Sequence, residues 1–135
     1  MFTHSGVIPF IRQNSTVEFV VISNRSRMLW IFPKGMLEPD LTPAASALNE
    51  AYEEAGVTGH IIGDAIGTYQ RSRSWGGIEY AEVFLMEVDT LLGDWPEAFF
   101  RERRVVDSGE ALTLIAPYWK DVFSLGLKRI RQETN

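Results

Sequence analysis

Short apolar runs alternate with polar breaks along most of the chain. Residues 5–11 and 16–23 are rich in Val, Ile and Phe and are separated by Arg12-Gln13-Asn14-Ser15, which predicts two strands. A third strand is predicted at residues 28–32, after the polar turn from Asn24 to Arg27. Residues 57–62 and 65–70 predict two more, with Gly63-Asp64 between them. The longest candidate, residues 78–88, carries the unbroken run Val83-Phe84-Leu85-Met86, which predicts a central strand buried on both faces. A short charged strand follows at residues 101–106.

Helices interrupt this pattern. Thr42-Pro43 places a hydroxyl cap before proline at a first helical position, residues 44–55 are mostly strong helix formers, and Gly56 stops them. A short helix is predicted to start with Asp107 or Ser108 as its cap. A last one spans residues 118–131 after Pro117, with Tyr118, Val122, Phe123, Leu125 and Ile130 expected inside.

On the 44–55 helix, Ala44, Leu48, Ala51 and Ala55 form a face of small residues suited to packing on a sheet, with Ala47 beside them. Glu50, Glu53 and Glu54 occupy another face at i, i+3 and i+4. No Lys or Arg lies between Ala44 and Gly56 to offset them. Such a triplet is either a solvated acidic face or a site for a divalent cation, because Mg²⁺ is commonly held by a few carboxylates together with substrate phosphates.

The stretch from Gly35 to Val57 resembles the signature of Nudix hydrolases, G-x5-E-x7-R-E-U-x-E-E-x-G-U with U aliphatic. Gly35, Glu50, Ala51, Glu53, Glu54, Gly56 and Val57 fall on it without a gap. Leu41 stands where the first Glu belongs, and Asn49 where the Arg belongs. The flanks PKG and YEEAGVTG, the early SGVIP and the late WPEAFFRERRVV are similar to the diphosphoinositol polyphosphate phosphohydrolase branch. The resemblance implies an α/β (α+β) fold, a Nudix-type α/β/α sandwich with a mixed β-sheet, over the single domain 1–135. It implies a metal-dependent pyrophosphohydrolase acting on a phosphorylated small molecule. Glu50, Glu53 and Glu54 with the Gly35 carbonyl would bind Mg²⁺ or Mn²⁺, and Glu50 or a neighbouring carboxylate would activate the water. The substrate would be a nucleoside diphosphate derivative, a dinucleoside polyphosphate or a diphosphoinositol polyphosphate.

The family's Arg orients the Glu that follows it, and Asn49 can only donate an uncharged hydrogen bond. Losing such supporting contacts typically costs 10- to 100-fold in metal affinity or activity. The alternative is therefore a weakened domain that binds a nucleotide or phosphoryl ligand as a sensor.

Composition narrows the rest. At 135 residues the chain suits one domain. The absence of cysteine removes disulfides, thiolate zinc sites and thiol nucleophiles. A net charge of −5 argues against bulk nucleic-acid binding. No run is long enough for a membrane span, which leads us to expect a cytoplasmic protein, with room for a homodimer. Basic residues are ten Arg to three Lys, and Arg suits bidentate phosphate binding. Arg12 would face substrate phosphates or mark a solvated strand end. Lys34 would meet a phosphate or close a turn. In the loop from Arg71 to Gly77, Arg71 and Arg73 would hold phosphates with Trp75 against a ring, unless these residues only decorate a hairpin tip.

Overall fold

In the computed structural model, which describes residues 1–133, the apolar runs become eight strands of one mixed sheet. β1 (His4–Gln13) and β2 (Thr16–Ser23) form a hairpin. β3 (Trp30–Ile31) pairs with β2, and β4 (Lys34–Met36) pairs with the start of β1. β5 (Val57–Ile61) and β6 (Gly67–Ser72) both lie antiparallel to β7 (Ile78–Leu91), and β8 (Arg103–Val106) closes on β2. β7 is the spine. It runs parallel to β1 from Ala81 to Glu87, holds β6 along its first half and β5 along its second. The run Val83 to Met86 is buried, as a strand covered on both faces requires.

The alternation of β1 shows both covers. Ser5 faces helix α1 (Pro43–Glu50), where its hydroxyl donates to the Pro43 carbonyl at 2.5 Å. Gly6 and Ile8 face the opposite helix, α3 (Pro117–Glu133): Trp119 lies over Gly6, and Gly126 admits Ile8, Leu85 and Ile66. The sheet is thus sandwiched between helices, as expected. α2 (Ser108–Leu114) packs on β2 and is capped by Asp107, which accepts from the Glu110 N–H. No helix among the described residues is long and apolar enough to cross a membrane.

Three local expectations are corrected. The third strand is only Trp30–Ile31, because the Asn24 side-chain oxygen takes the N–H groups of Met28 and Leu29 at 3.1 and 3.2 Å and folds them into a turn. In α3 the inward face is Trp119, Val122, Phe123, Gly126 and Ile130, and Leu125 is 48% exposed. The first helix is not regular to its end. Thr42 caps it by accepting from Ala45, but Ala51–Ala55 form one π turn, and Gly56, at φ 65°, shares its N–H between the Ala51 and Tyr52 carbonyls. The Glu54 carbonyl at the end of this widened turn accepts from the Trp95 indole at 3.0 Å. π turns inside helices recur at functional sites.

Candidate active site

The widened turn sets the acidic side of a cleft. It no longer stacks residues three and four apart as an α-helix does. Glu54 turns inward and is 7% exposed, while Glu53 stays half-exposed. Glu50 lies against β4, and a Cβ on Gly35 would overlap its carboxyl group, so glycine is what admits this carboxylate. Burial, and then repulsion from Glu54, Glu53, Glu38 and Glu97, push Glu50 up to about 8.

Glu54 is tied on both oxygens. Oε1 accepts from the Lys34 backbone N–H at 3.1 Å, and Oε2 from the Arg101 guanidinium at 3.2 Å. Burial raises its pKa to about 7 against the pull of Arg101 and the Lys34 N–H. The buried Arg101 also donates to Glu97 at 2.7 Å and to the Ser23 carbonyl at 2.9 Å. Arg101 and Glu97 arrive on the segment between β7 and β8, which is pinned by the Glu97 N–H on the Glu53 carbonyl and by Arg103 stacked on Trp95 at 4.2 Å.

Beside Glu54 is a basic cluster built on one carboxylate. The fully buried Glu79 side chain accepts from Lys34 Nζ at 3.1 Å, Arg71 at 3.3 Å, Arg73 at 2.5 Å and the Tyr69 hydroxyl. Burial opposes its ionisation, but Tyr69, Lys34 and Arg71 outweigh that and hold Glu79 down at about 2. Burial lowers Lys34, with Glu79 restraining the fall. Arg71 is braced over the Tyr118 ring at 4.5 Å. Lys34, Arg71 and Arg73 line a cavity of about 530 Å³ that Glu54 and Arg101 also line.

The sequence-derived residues separate on this map. Glu54, Lys34, Arg71 and Arg73 line one cleft, whereas Gly35 and Glu50, which lie against each other, and Glu53 are not among its lining residues. Among the described residues, however, no three acidic or histidine side chains are drawn together as a metal-binding group. Arg12 does not join the cleft. Its Nε is 3.9 Å from Glu87, and it lines a different cavity with Ser108 and Leu127. The reason is strand length: β4 pairs with His4–Gly6, and six residues further along a strand is about 20 Å away.

Residues missed from the sequence are Glu38, Arg101 and the organising role of Glu79. Asn49 donates to Glu38 at 2.8 Å, so the loop before Leu41 supplies the acid that Leu41 does not. The charge-dense WPEAFFRERRVV segment was the signal for Arg101.

The donor chemistry suits a hard divalent cation. Carboxylates are its preferred ligands, and Glu50 is crowded by four other acids. A cation would relieve that repulsion. Glu50, Glu53 and the Gly35 carbonyl are the groups not already tied by the Arg101 fork.

Comparisons with known proteins find relatives over most of the chain. The NUDIX domain description matches residues 3–121. Nudix hydrolase 13, mitochondrial, of Arabidopsis thaliana is 38% identical over 136 residues, covering 85% of this chain and 67% of that protein. Diphosphoinositol polyphosphate phosphohydrolase 3-alpha of Mus musculus is 37% identical over 79 residues, covering 58% of this chain and 46% of the relative. The chain thus spans between about half and two-thirds of these relatives' lengths. The crystal structure of the C. elegans Ap4A hydrolase superposes with a TM-score of 0.77 at 16% identity, covering 96% of this chain and 99% of that one, and so shares the fold.

Proposed function

The chain belongs to the Nudix family, and from that premise we propose that it hydrolyses a diphosphate or polyphosphate linkage in a nucleoside diphosphate derivative, a dinucleoside polyphosphate or a diphosphoinositol polyphosphate, with Mg²⁺ or Mn²⁺. Pyrophosphate hydrolysis in general goes with the family and its named hydrolases. The observation that supports the finer reading is one cleft lined by Glu54 of the acidic turn together with Lys34, Arg71 and Arg73, with Glu50 lying against the neighbouring Gly35.

Glu50, Glu53 and the Gly35 carbonyl would hold the cation, with Glu54 available where Arg101 releases it. The bound cation supplies charge neutralisation on phosphate and a lowered pKa for water. Lys34, Arg71 and Arg73 bind the phosphate oxygens, and Glu79 keeps these three cations aimed at one point. Glu50 or a neighbouring carboxylate would take the proton from water. Glu79 is unsuited as base, since its oxygens are occupied by Tyr69, Lys34 and two arginines.

Phosphate release from a panel of these compounds tests the reading. Release that needs Mg²⁺, stops with EDTA and is lost in Glu50→Gln is expected. Plain nucleoside triphosphates turned over at least as fast as every diphosphate-linked compound would overturn the substrate class. Unchanged Mn²⁺ binding in a Glu53→Gln, Glu54→Gln double variant would overturn the metal assignment.

One observation favours the second reading, a ligand-binding sensor without turnover. Both oxygens of Glu54 are already held, by Arg101 and by the Lys34 N–H. Tight ligand binding with no product on the whole panel would select it. A cytoplasmic location remains our reading from composition, beside plant relatives named as mitochondrial.

A further inference from the structure

We propose that Trp95 and Arg103 are positioning residues: with the segment between β7 and β8 they clamp the end of the acidic helix into its π turn, and so set the Glu54 carboxylate into the cleft. The bearing of this clamp on activity rests on Glu53 and Glu54 taking part in cation binding.

A helix leaves its last four carbonyls without partners of its own. Here the Tyr52 carbonyl is the last one met from within, by the Gly56 N–H at 3.1 Å. The next four are all met from the segment after β7 and the start of β8. The Glu53 carbonyl accepts from the Glu97 N–H at 3.0 Å, and the Glu54 carbonyl from the Trp95 indole at 3.0 Å. Arg103 Nη1 donates to the Ala55 carbonyl at 3.0 Å and to the Gly56 carbonyl at 3.3 Å. The Leu92 N–H adds a bond to Gly56 at 2.8 Å.

The two side-chain donors brace each other, with the Arg103 guanidinium 4.2 Å over the Trp95 ring. A cation at a helix C-terminus is also favoured by the helix dipole. Gly56 makes room for the clamp: a Cβ there would come within 2.7 Å of the indole. Its φ of 65° favours glycine as well.

Glu54 is thereby held at both ends. Trp95 takes its backbone carbonyl, while Arg101, from the same segment, donates to its carboxylate at 3.2 Å. In a regular α-helix Glu50, Glu53 and Glu54 would share one face. The widened turn instead brings Glu54 onto the Lys34 N–H and leaves Glu53 half-exposed. Neither Trp95 nor Arg103 lines the cleft, so any effect they have on the cation must pass through the turn.

Two variants of the full chain test this by crystallography, urea unfolding and calorimetric Mn²⁺ titration. Trp95→Phe keeps a ring beneath Arg103 and removes the indole N–H. Adding Arg103→Met removes the remaining side-chain donor at similar length. In the double variant Ala51–Ala55 is expected to return to a regular α-helical turn, with Glu54 off the Lys34 N–H. Mn²⁺ affinity is expected to fall about tenfold in Trp95→Phe and up to about a hundredfold in the double variant. A merely stabilising pair would lower the urea midpoint and leave the Mn²⁺ affinity of the folded protein as it was. A π turn retained with wild-type Mn²⁺ affinity would therefore overturn the clamp, and Trp95→Phe alone, the milder change, gives that answer where the double variant does not fold. A relaxed turn with wild-type Mn²⁺ affinity would keep the clamp and overturn the part given to Glu54 in cation binding.

Discussion

The Asn49 side-chain amide donates to the Glu38 carboxylate at 2.8 Å. Where the Nudix signature has an Arg and an upstream Glu, this chain has a neutral donor and an acid displaced by three positions. Leu41, at the Glu position, is 40% exposed. The contact keeps the loop joined to the helix, but it leaves the charge of Glu38 uncompensated. That charge is one of those raising Glu50.

Asn49→Arg should therefore act without any change at Leu41. The guanidinium would pair with Glu38 already in place and offset its push on Glu50. We expect kcat to rise about tenfold, KM to stay nearly constant, and the acidic limb of the pH–rate profile to move to lower pH as Glu50 ionises more readily. Glu38→Gln alone, which removes the same push on Glu50, should reproduce part of the gain. Unchanged kcat in a folded variant that still binds Mg²⁺ would mean that another carboxylate, Glu97 first, serves as base.

The metal-free protein should lose stability as pH rises. Glu50 and Glu54 start from the ordinary carboxyl value of 4.5 and are raised to about 8 and about 7 in the fold. Between those values the folded state binds more protons than the unfolded state, so unfolding free energy falls with increasing pH. Glu79 has the opposite sign: lowered to about 2, it contributes stability above 4.5 that is lost as pH falls. Urea unfolding in EDTA should give a maximum near pH 4.5. Glu50→Gln should flatten the alkaline slope, and Glu79→Gln the acidic one.

Arg101→Ala should separate structural from functional roles in the Glu54 fork. Removing one partner of a buried pair leaves charges uncompensated and costs about 3 kcal/mol, read as a lower urea midpoint in EDTA. Glu54 and Glu97 are then freed for a cation. Mn²⁺ should raise the midpoint of the variant more than that of wild type. An equal Mn²⁺ response in both proteins would show that Glu54 takes no part in cation binding.

Much of this was legible in the chain. Apolar runs between polar breaks located β1, β2 and the β7 spine, and Thr42, Pro43 and Gly56 bounded the first helix correctly. The regular helix between them was not correct: its last turn is a π turn, whose Glu54 carbonyl is bound by Trp95, 41 residues away. Arg12 was left open between a phosphate contact and a solvated strand end, and it lies at the strand end, away from the cleft. A strand end shows that a charge is exposed, but only pairing with β4 decides which end faces the acids. The hub at Glu79 was hidden because a lone Glu in a strand carries no local sign of the three cations that converge on it.

Gly35→Ala isolates the placement of Glu50. Gly35 is not among the positive-φ residues, so alanine meets no backbone obstacle there. What it meets is the Glu50 carboxyl group, which it must push away from β4. We expect a stability change below about 1 kcal/mol, with Mn²⁺ affinity and kcat falling about ten- to hundredfold. Gly93→Ala is the control, since a Cβ there has no heavy atom within 4 Å. A double-mutant cycle with Glu50→Gln decides the cause. If Gly35 acts through Glu50, the second substitution adds little to the first. Fully additive losses would mean that the Gly35 backbone contributes independently, as a carbonyl ligand would. Wild-type Mn²⁺ affinity in Gly35→Ala would remove both residues from the cation site.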